Sequence, residues 1–211
     1  MNNYIFDLDG TLINSSKEVL LCMEKAFQQS NYPLDKNRLN HNVIGPPLKE
    51  IIKLLAPELE DELKISEIVN NFRELYDNDK NDISEVYRGV YKILTKLKQN
   101  GKRLFMATFK PTKPTMRIIE QFGFDCFEEI YTIDKFEKHI TKEEMIIDIL
   151  KKYNLEKSET CMIGDAVSDM KAAKSAGVVA VAATWGYGDN KKPLIENADI
   201  VINSIEELCQ K

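Results

Sequence analysis

The chain has 211 residues, 43% of them hydrophobic, and a formal net charge of -5. That is enough for one good-sized domain, or for one domain carrying a smaller insert, while the mildly acidic balance and scattered lysines and arginines give no electrostatic footprint for nucleic acid. No run of about 18 apolar residues exists to span a membrane, and Cys22, Cys126, Cys161 and Cys209, widely separated and without Cys-x-x-Cys spacing, fit buried free thiols better than a disulfide framework or zinc knuckle.

Two histidines, His41 and His139, leave little material for a His-based metal site. Asn2 and Asn3 run straight into the first apolar stretch, without a basic-then-apolar leader. The expectation is a soluble cytoplasmic protein, monomeric or a weak dimer, with no membrane or nucleic-acid partner.

Tyr4 to Leu8 reads as the first buried strand. Side chains alternate along a strand, so Asp7 and Asp9 should emerge together at its C-terminal tip, and Gly10 lets the backbone turn. Two carboxylates there can hold a hard cation or divide the roles of nucleophile and acid. The ordinary alternative is that Asp9-Gly10 is a turn beside a solvated Asp7.

Residues 14 to 85 carry no convincing strand. Glu18 to Ser30, Leu48 to Leu55 and Leu59 to Tyr76 have apolar residues at helical spacing, and Pro33, Pro46, Pro47 and Pro57 punctuate the joints. An all-helical block inserted after the first strand is expected over 15–85. Crossings near Ile13–Ser16 and Asp82–Arg88 would join it to an α/β domain of residues 1–14 and 86–211.

Beyond it, predicted strands and helices alternate. The strands are Arg103 to Thr108, Glu129 to Thr132, Thr160 to Gly164, Val178 to Ala182 and Asp199 to Ile202. Runs such as Leu104-Phe105-Met106-Ala107 are apolar without alternation, as strands covered on both faces are. The helices are Val90 to Asn100, Lys113 to Phe122, Lys142 to Tyr153 and Ser168 to Ala176. Thr141 and Glu144 have the form of a capping box, and Gly101, Gly123 and Gly177 stand where helices end. The pattern predicts a doubly wound α/β parallel sheet, whose ligands bind at the C-terminal edge of the strands.

Three more groups fall at that edge. Thr108 ends an apolar strand, with Lys110 nearby; its hydroxyl can hold a phosphoryl oxygen or cap the next helix. Lys142 opens a helix whose N-terminus already carries partial positive charge, so it needs an anion nearby or must swing into solvent. Lys135 and Lys138 compete with it. Met162-Ile163-Gly164-Asp165 ends another strand, with Asp169 four residues on, where the helix dipole already favours an acid.

With these residues in order, the chain resembles the haloacid dehalogenase (HAD)-like hydrolases over residues 4 to about 203. The signature is Asp7-Leu8-Asp9-Gly10-Thr11, then Thr108, Lys142 and Gly164-Asp165 to Asp169. Thr184-Trp185-Gly186-Tyr187-Gly188 and the cap position are similar to the phosphoglycolate phosphatase and beta-phosphoglucomutase branch. The resemblance implies a Rossmann-like core with a small helical cap, and a phosphatase of small phosphorylated metabolites that works through an aspartyl-phosphate. Asp7 would be the nucleophile and Asp9 the general acid and base. Thr108 and Lys142 would bind phosphate. Mg2+ would be held by the Asp7 carboxylate, the Asp9 carbonyl and Asp165, with Asp169 supporting it directly or through water. The cap would close over the core, and Ile44-Gly45-Pro46-Pro47 would reach the cleft or simply break a helix.

The chain departs from the family pattern in places. Glu143 follows Lys142 where proline is common, Arg88 precedes Gly89-Val90 where proline is frequent, and Ala166 replaces a common threonine. A sugar-phosphate mutase, a nucleotidase or pyrophosphatase on the same scaffold, and a binding module without catalysis are the alternatives. The last would have no electrostatic reason to keep so many acids at one edge.

Overall fold

Every residue of the first strand, β1 (Asn3–Phe6), is buried, and its apolar side chains alternate between two cores that organise the larger part of the molecule. A computed structural model describes residues 1–44, 48–78, 83–136, 140–188 and 191–209. Two units are separable, one formed by Met1–Asn14 with Glu85–Lys211 and the other by Ser15–Ser84.

In the first unit, β1 is followed by a short β2 (Ile13–Asn14). After residue 84 the chain continues through β3 (Glu85–Val86), a helix at Val90–Gln99, β4 (Arg103–Ala107), a helix at Thr112–Phe122 and β5 (Glu129–Tyr131). A helix at Lys142–Tyr153, β6 (Thr160–Gly164), a helix at Val167–Ala176, β7 (Val179–Ala183), a short helix at Lys191–Glu196 and β8 (Ile200–Ile202) complete it. Six strands form a parallel sheet in the order β5-β4-β1-β6-β7-β8.

Tyr4 and Phe6 join Leu104, Met106, Ile163 and Val181 on one face, against the 90–99 helix and Ile118. Ile5, Phe105, Met162 and Ala180 line the other, against the helices at 142–153 and 167–176. Full burial of one large apolar side chain is worth about 1.5–3 kcal/mol, against about 1 kcal/mol net for a hydrogen bond, so the two filled faces hold the sheet more than its ladders do. This is the doubly wound architecture that non-alternating strands require.

The second unit contains three α-helices among its described residues, Ser16–Gln29, Leu48–Leu55 and Glu62–Asp77. They share a separate core that includes Met23, Phe27, Ile52, Ile65, Ile68 and Phe72. Buried Glu18 accepts a hydrogen bond from Ser84, tying the first helix to the end of the unit. Residues 45–47, expected to reach a cleft or break a helix, lie outside the described residues.

Several local expectations shift. The first strand ends at Phe6, two residues before the expected Leu8, because the Leu8 carbonyl accepts from the N-H groups of Thr11, Leu12 and Ile13 and closes a tight turn. The helix expected from Leu59 starts at Glu62, where Asp61 accepts from the N-H groups of Leu63 and Lys64. Thr141 and Glu144 form the expected capping box. The 191–196 helix and the antiparallel β2-β3 ribbon have no counterpart in the sequence reading; both are too short for a periodic signal.

Strand β5 lies at the edge of the sheet, and charge guards it. Glu129 accepts from Lys135, Lys152 and Tyr153. Partial burial raises its pKa, but these hydrogen bonds outweigh burial and pull the carboxyl from 4.5 down to about 2. A depressed acid stabilises the fold above its unfolded value and loses that contribution as pH falls through the folded value. Glu129→Gln should therefore lower the urea midpoint near neutral pH, and its difference from wild type should close as pH falls from 4.5 to about 2.

Candidate active site

The order in which strands are added reverses at β1. The chain builds outward from it through β4 and β5, then crosses to its other side with β6. Adjacent connections diverge at such a switch point, leaving a crevice at the C-terminal strand ends. Residues after β1, β4 and β6 must face it, and the registers set them level. Phe6 pairs with both Met106 and Ile163, and the Asp7 N-H continues the ladder to the Ile163 carbonyl at 2.9 Å.

Asp7, Lys142, Asp165 and Asp169 are all buried here. The Lys142 ammonium donates to Asp7 Oδ1 at 2.9 Å and to Asp169 Oδ1 at 2.5 Å. These are the anions that its helix-opening position calls for. Asp169 is fixed from behind, because its Oδ2 accepts the Ala166 N-H at 3.1 Å. The ring of the exposed Phe109 also meets this buried ammonium, its centroid 5.0 Å from Nζ.

Asp165 sits in a cradle of backbone. Gly188 N-H donates to its Oδ2 at 2.7 Å, and the Thr11 hydroxyl donates to Oδ1 at 3.4 Å. A Cβ on Gly10 would fall 2.0 Å from that Oδ2, and one on Gly186 would fall 2.2 Å from it. Gly10 also has φ +80°, where a side chain is strained, so glycine is required there twice over. The Trp185 indole N-H donates to the Thr11 carbonyl at 3.0 Å and pins the segment that supplies Gly186 and Gly188.

One oxygen from each of Asp7, Asp165 and Asp169 lies within 4.8 Å of the others. Unit charges about 4 Å apart interact by about 4 kcal/mol at an effective dielectric of 20. Lys142 balances one of the three. Burial, followed in size by the opposing pull of Lys142, leaves Asp7 pushed up to about 7, and burial with the charges of Asp7 and Asp169 holds Asp165 well above the usual carboxylate range. Burial disfavours the Lys142 ammonium, but Asp169 and Asp7 outweigh that and raise its pKa. An all-oxygen donor set short of positive charge fits a hard divalent cation.

Asp9 behaves differently. Its carboxylate is not one of the three that gather within 4.8 Å, although its charge is near enough to raise the Asp7 pKa. Asp9 instead meets Lys110, whose ammonium lies 3.1 and 3.2 Å from its two oxygens. Thr108 is buried at the β4 tip; its N-H donates to the Tyr131 carbonyl and its hydroxyl accepts the Lys110 N-H at 3.1 Å. It does not cap the following helix, which begins at Thr112. Lys135 is engaged by Glu129, and Lys138 lies outside the described residues. The sequence reading noted Lys110 but gave it no role; its place two residues after a strand-ending threonine was the available signal.

The sequence profile of the haloacid dehalogenase-like hydrolases matches residues 4–183. A phosphoglycolate phosphatase of Vibrio parahaemolyticus is 28% identical, with 97% of this chain and 93% of the relative aligned. Pyrophosphatase PpaX of Halalkalibacterium halodurans is 30% identical over 99% of this chain and 95% of its own length. Among solved structures, a predicted phosphoglycolate phosphatase from Haemophilus somnus superposes with a TM-score of 0.88 at 26% identity, covering 100% of this chain and 97% of that one. With the parallel core, the inserted helices and the acidic strand ends already in place, the chain belongs to the haloacid dehalogenase-like hydrolase family.

Proposed function

We propose that this protein is a magnesium-dependent phosphatase of small phosphomonoesters that works through an aspartyl-phosphate on Asp7. The observation that carries the reading is the buried group at the sheet's switch point, where Lys142 contacts Asp7 and the carboxylates of Asp165 and Asp169 lie close by. The phosphoglycolate phosphatase and pyrophosphatase relatives support a small phosphorylated substrate. The Ser15–Ser84 unit is read as the cap domain that selects it.

Asp7, Asp165, Asp169 and the Asp9 carbonyl would hold Mg2+, which when bound offsets negative charge on the phosphoryl oxygens. Lys142 and the Thr108 hydroxyl bind the other phosphoryl oxygens. An Asp7 oxygen attacks phosphorus, the ester P-O bond breaks, and the leaving oxygen takes a proton from Asp9. Asp9, now a carboxylate, takes a proton from water as that water attacks the phosphorus, releasing phosphate and restoring Asp7. Two aspartates with different surroundings suit this division of labour, because one must stay a bare nucleophile while the other exchanges a proton.

Phosphate release from a panel including 2-phosphoglycolate, pyrophosphate and 4-nitrophenyl phosphate tests the reading. Release should require magnesium and stop with EDTA, and Asp7→Asn should lower kcat by about 10³-fold or more. Undiminished turnover by that variant would overturn the mechanism.

Magnesium should also raise the thermal midpoint of the wild type, since a ligand at about 100 times its Kd stabilises by about 2.7 kcal/mol. Asp165→Asn should abolish the shift. Gly186→Ala should weaken it, because the new Cβ would strike Asp165 Oδ2.

A further inference from the structure

We propose that Lys110 is a positioning residue for Asp9, aligning its carboxyl group with the oxygen that leaves the phosphorus; the inference rests on the phosphatase reading above. Lys110 is buried, its side chain only 3% exposed, and it lies 3.1 Å and 3.2 Å from the two Asp9 oxygens. A buried ammonium is retained only where partners meet its charge. Near-equal distances to both oxygens place it across the open edge of the carboxylate, which restricts rotation of the group.

The loop that delivers Lys110 is fixed on both sides. Its N-H donates to Thr108 Oγ1, and its carbonyl accepts from the Thr115 hydroxyl at 3.4 Å. Thr108 is itself tied to Tyr131, so strand β4 sets the ammonium's origin as firmly as β1 sets the aspartates. Two lysines therefore divide the Asp7-Leu8-Asp9 pair. Lys142 takes Asp7 together with Asp169, and Lys110 takes Asp9.

This division has a chemical consequence. With Asp9 protonated, one oxygen accepts from Lys110 and the other carries the proton toward the leaving oxygen. When that O-H bond breaks and the new one forms, the carboxylate that remains lies against an ammonium already in place. Leaving groups that depart as stable anions need no such proton; alkoxides do.

The test compares kcat/KM for ethyl phosphate and 4-nitrophenyl phosphate, with magnesium, in the full-length protein. This ratio reports steps up to formation of the phosphoenzyme, before Asp9 acts on water. Lys110→Met should lower the alkyl value about 100-fold and the aryl value about threefold, reproducing in weaker form the selectivity of Asp9→Asn. Lys110→Arg, which keeps a cation, should recover the alkyl value to within about tenfold of wild type. Equal losses on both substrates, no loss on either, or an arginine variant no better than methionine would overturn the proposal. Lys110→Gln carries the same comparison if the methionine variant does not fold, with magnesium-induced thermal shifts verifying each variant. A wild-type protein that hydrolyses neither ester overturns the phosphatase reading itself, a result distinct from equal losses in the variant.

Discussion

One buried ammonium, that of Lys142, decides where the acids of this protein can stand. Asp7, after β1, and Asp169, in the first turn of the helix after β6, both accept from the same Nζ. Without that cation, carboxylates closed in by a parallel sheet would have to neutralise or move into water. With it, two stay close together, and a third, Asp165, is held by backbone N-H and glycine contacts. The site is thus a charge balance left one cation short, and its Lys142-Asp7 link joins residues 135 positions apart in sequence.

The scaffold makes that convergence cheap in conformational terms. Each participant follows a strand or opens a helix of the same sheet unit, so backbone hydrogen bonding fixes its origin independently of the side-chain contacts. The sheet's filled faces then resist movement, since each displaced large side chain would leave a void that costs several kcal/mol, about 2–5 for leucine-sized groups. Rigid origins matter more here than in a surface ion pair, which is commonly worth under about 1 kcal/mol.

Much of this was legible in the residues because buried parallel strands announce themselves by unbroken apolar runs, and Leu104 to Ala107 and Cys161 to Ile163 do so. The Thr141-Glu144 box and the glycines after helices marked element ends through local chemistry alone. What escaped had no local signature. The β2-β3 ribbon has two residues per strand. The early end of the first strand arises from a turn closed by the Leu8 carbonyl, and the Lys110-Asp9 pair joins residues 101 positions apart. Pairings of that separation are decided by strand order, which a single sequence leaves open.

The ribbon carries a consequence for how such a molecule can diversify. Ile13 pairs with Val86 and Asn14 with Glu85, so the points where the intervening 70 or so residues depart and return are neighbours. A chain segment whose two ends already touch can be lengthened, shortened or exchanged with little added loop-closure cost, about 0.6 kcal/mol for each doubling. Evolution can therefore swap the helical insert like a fitting on a fixed socket, while the buried acids and Lys142 stay bolted to the sheet.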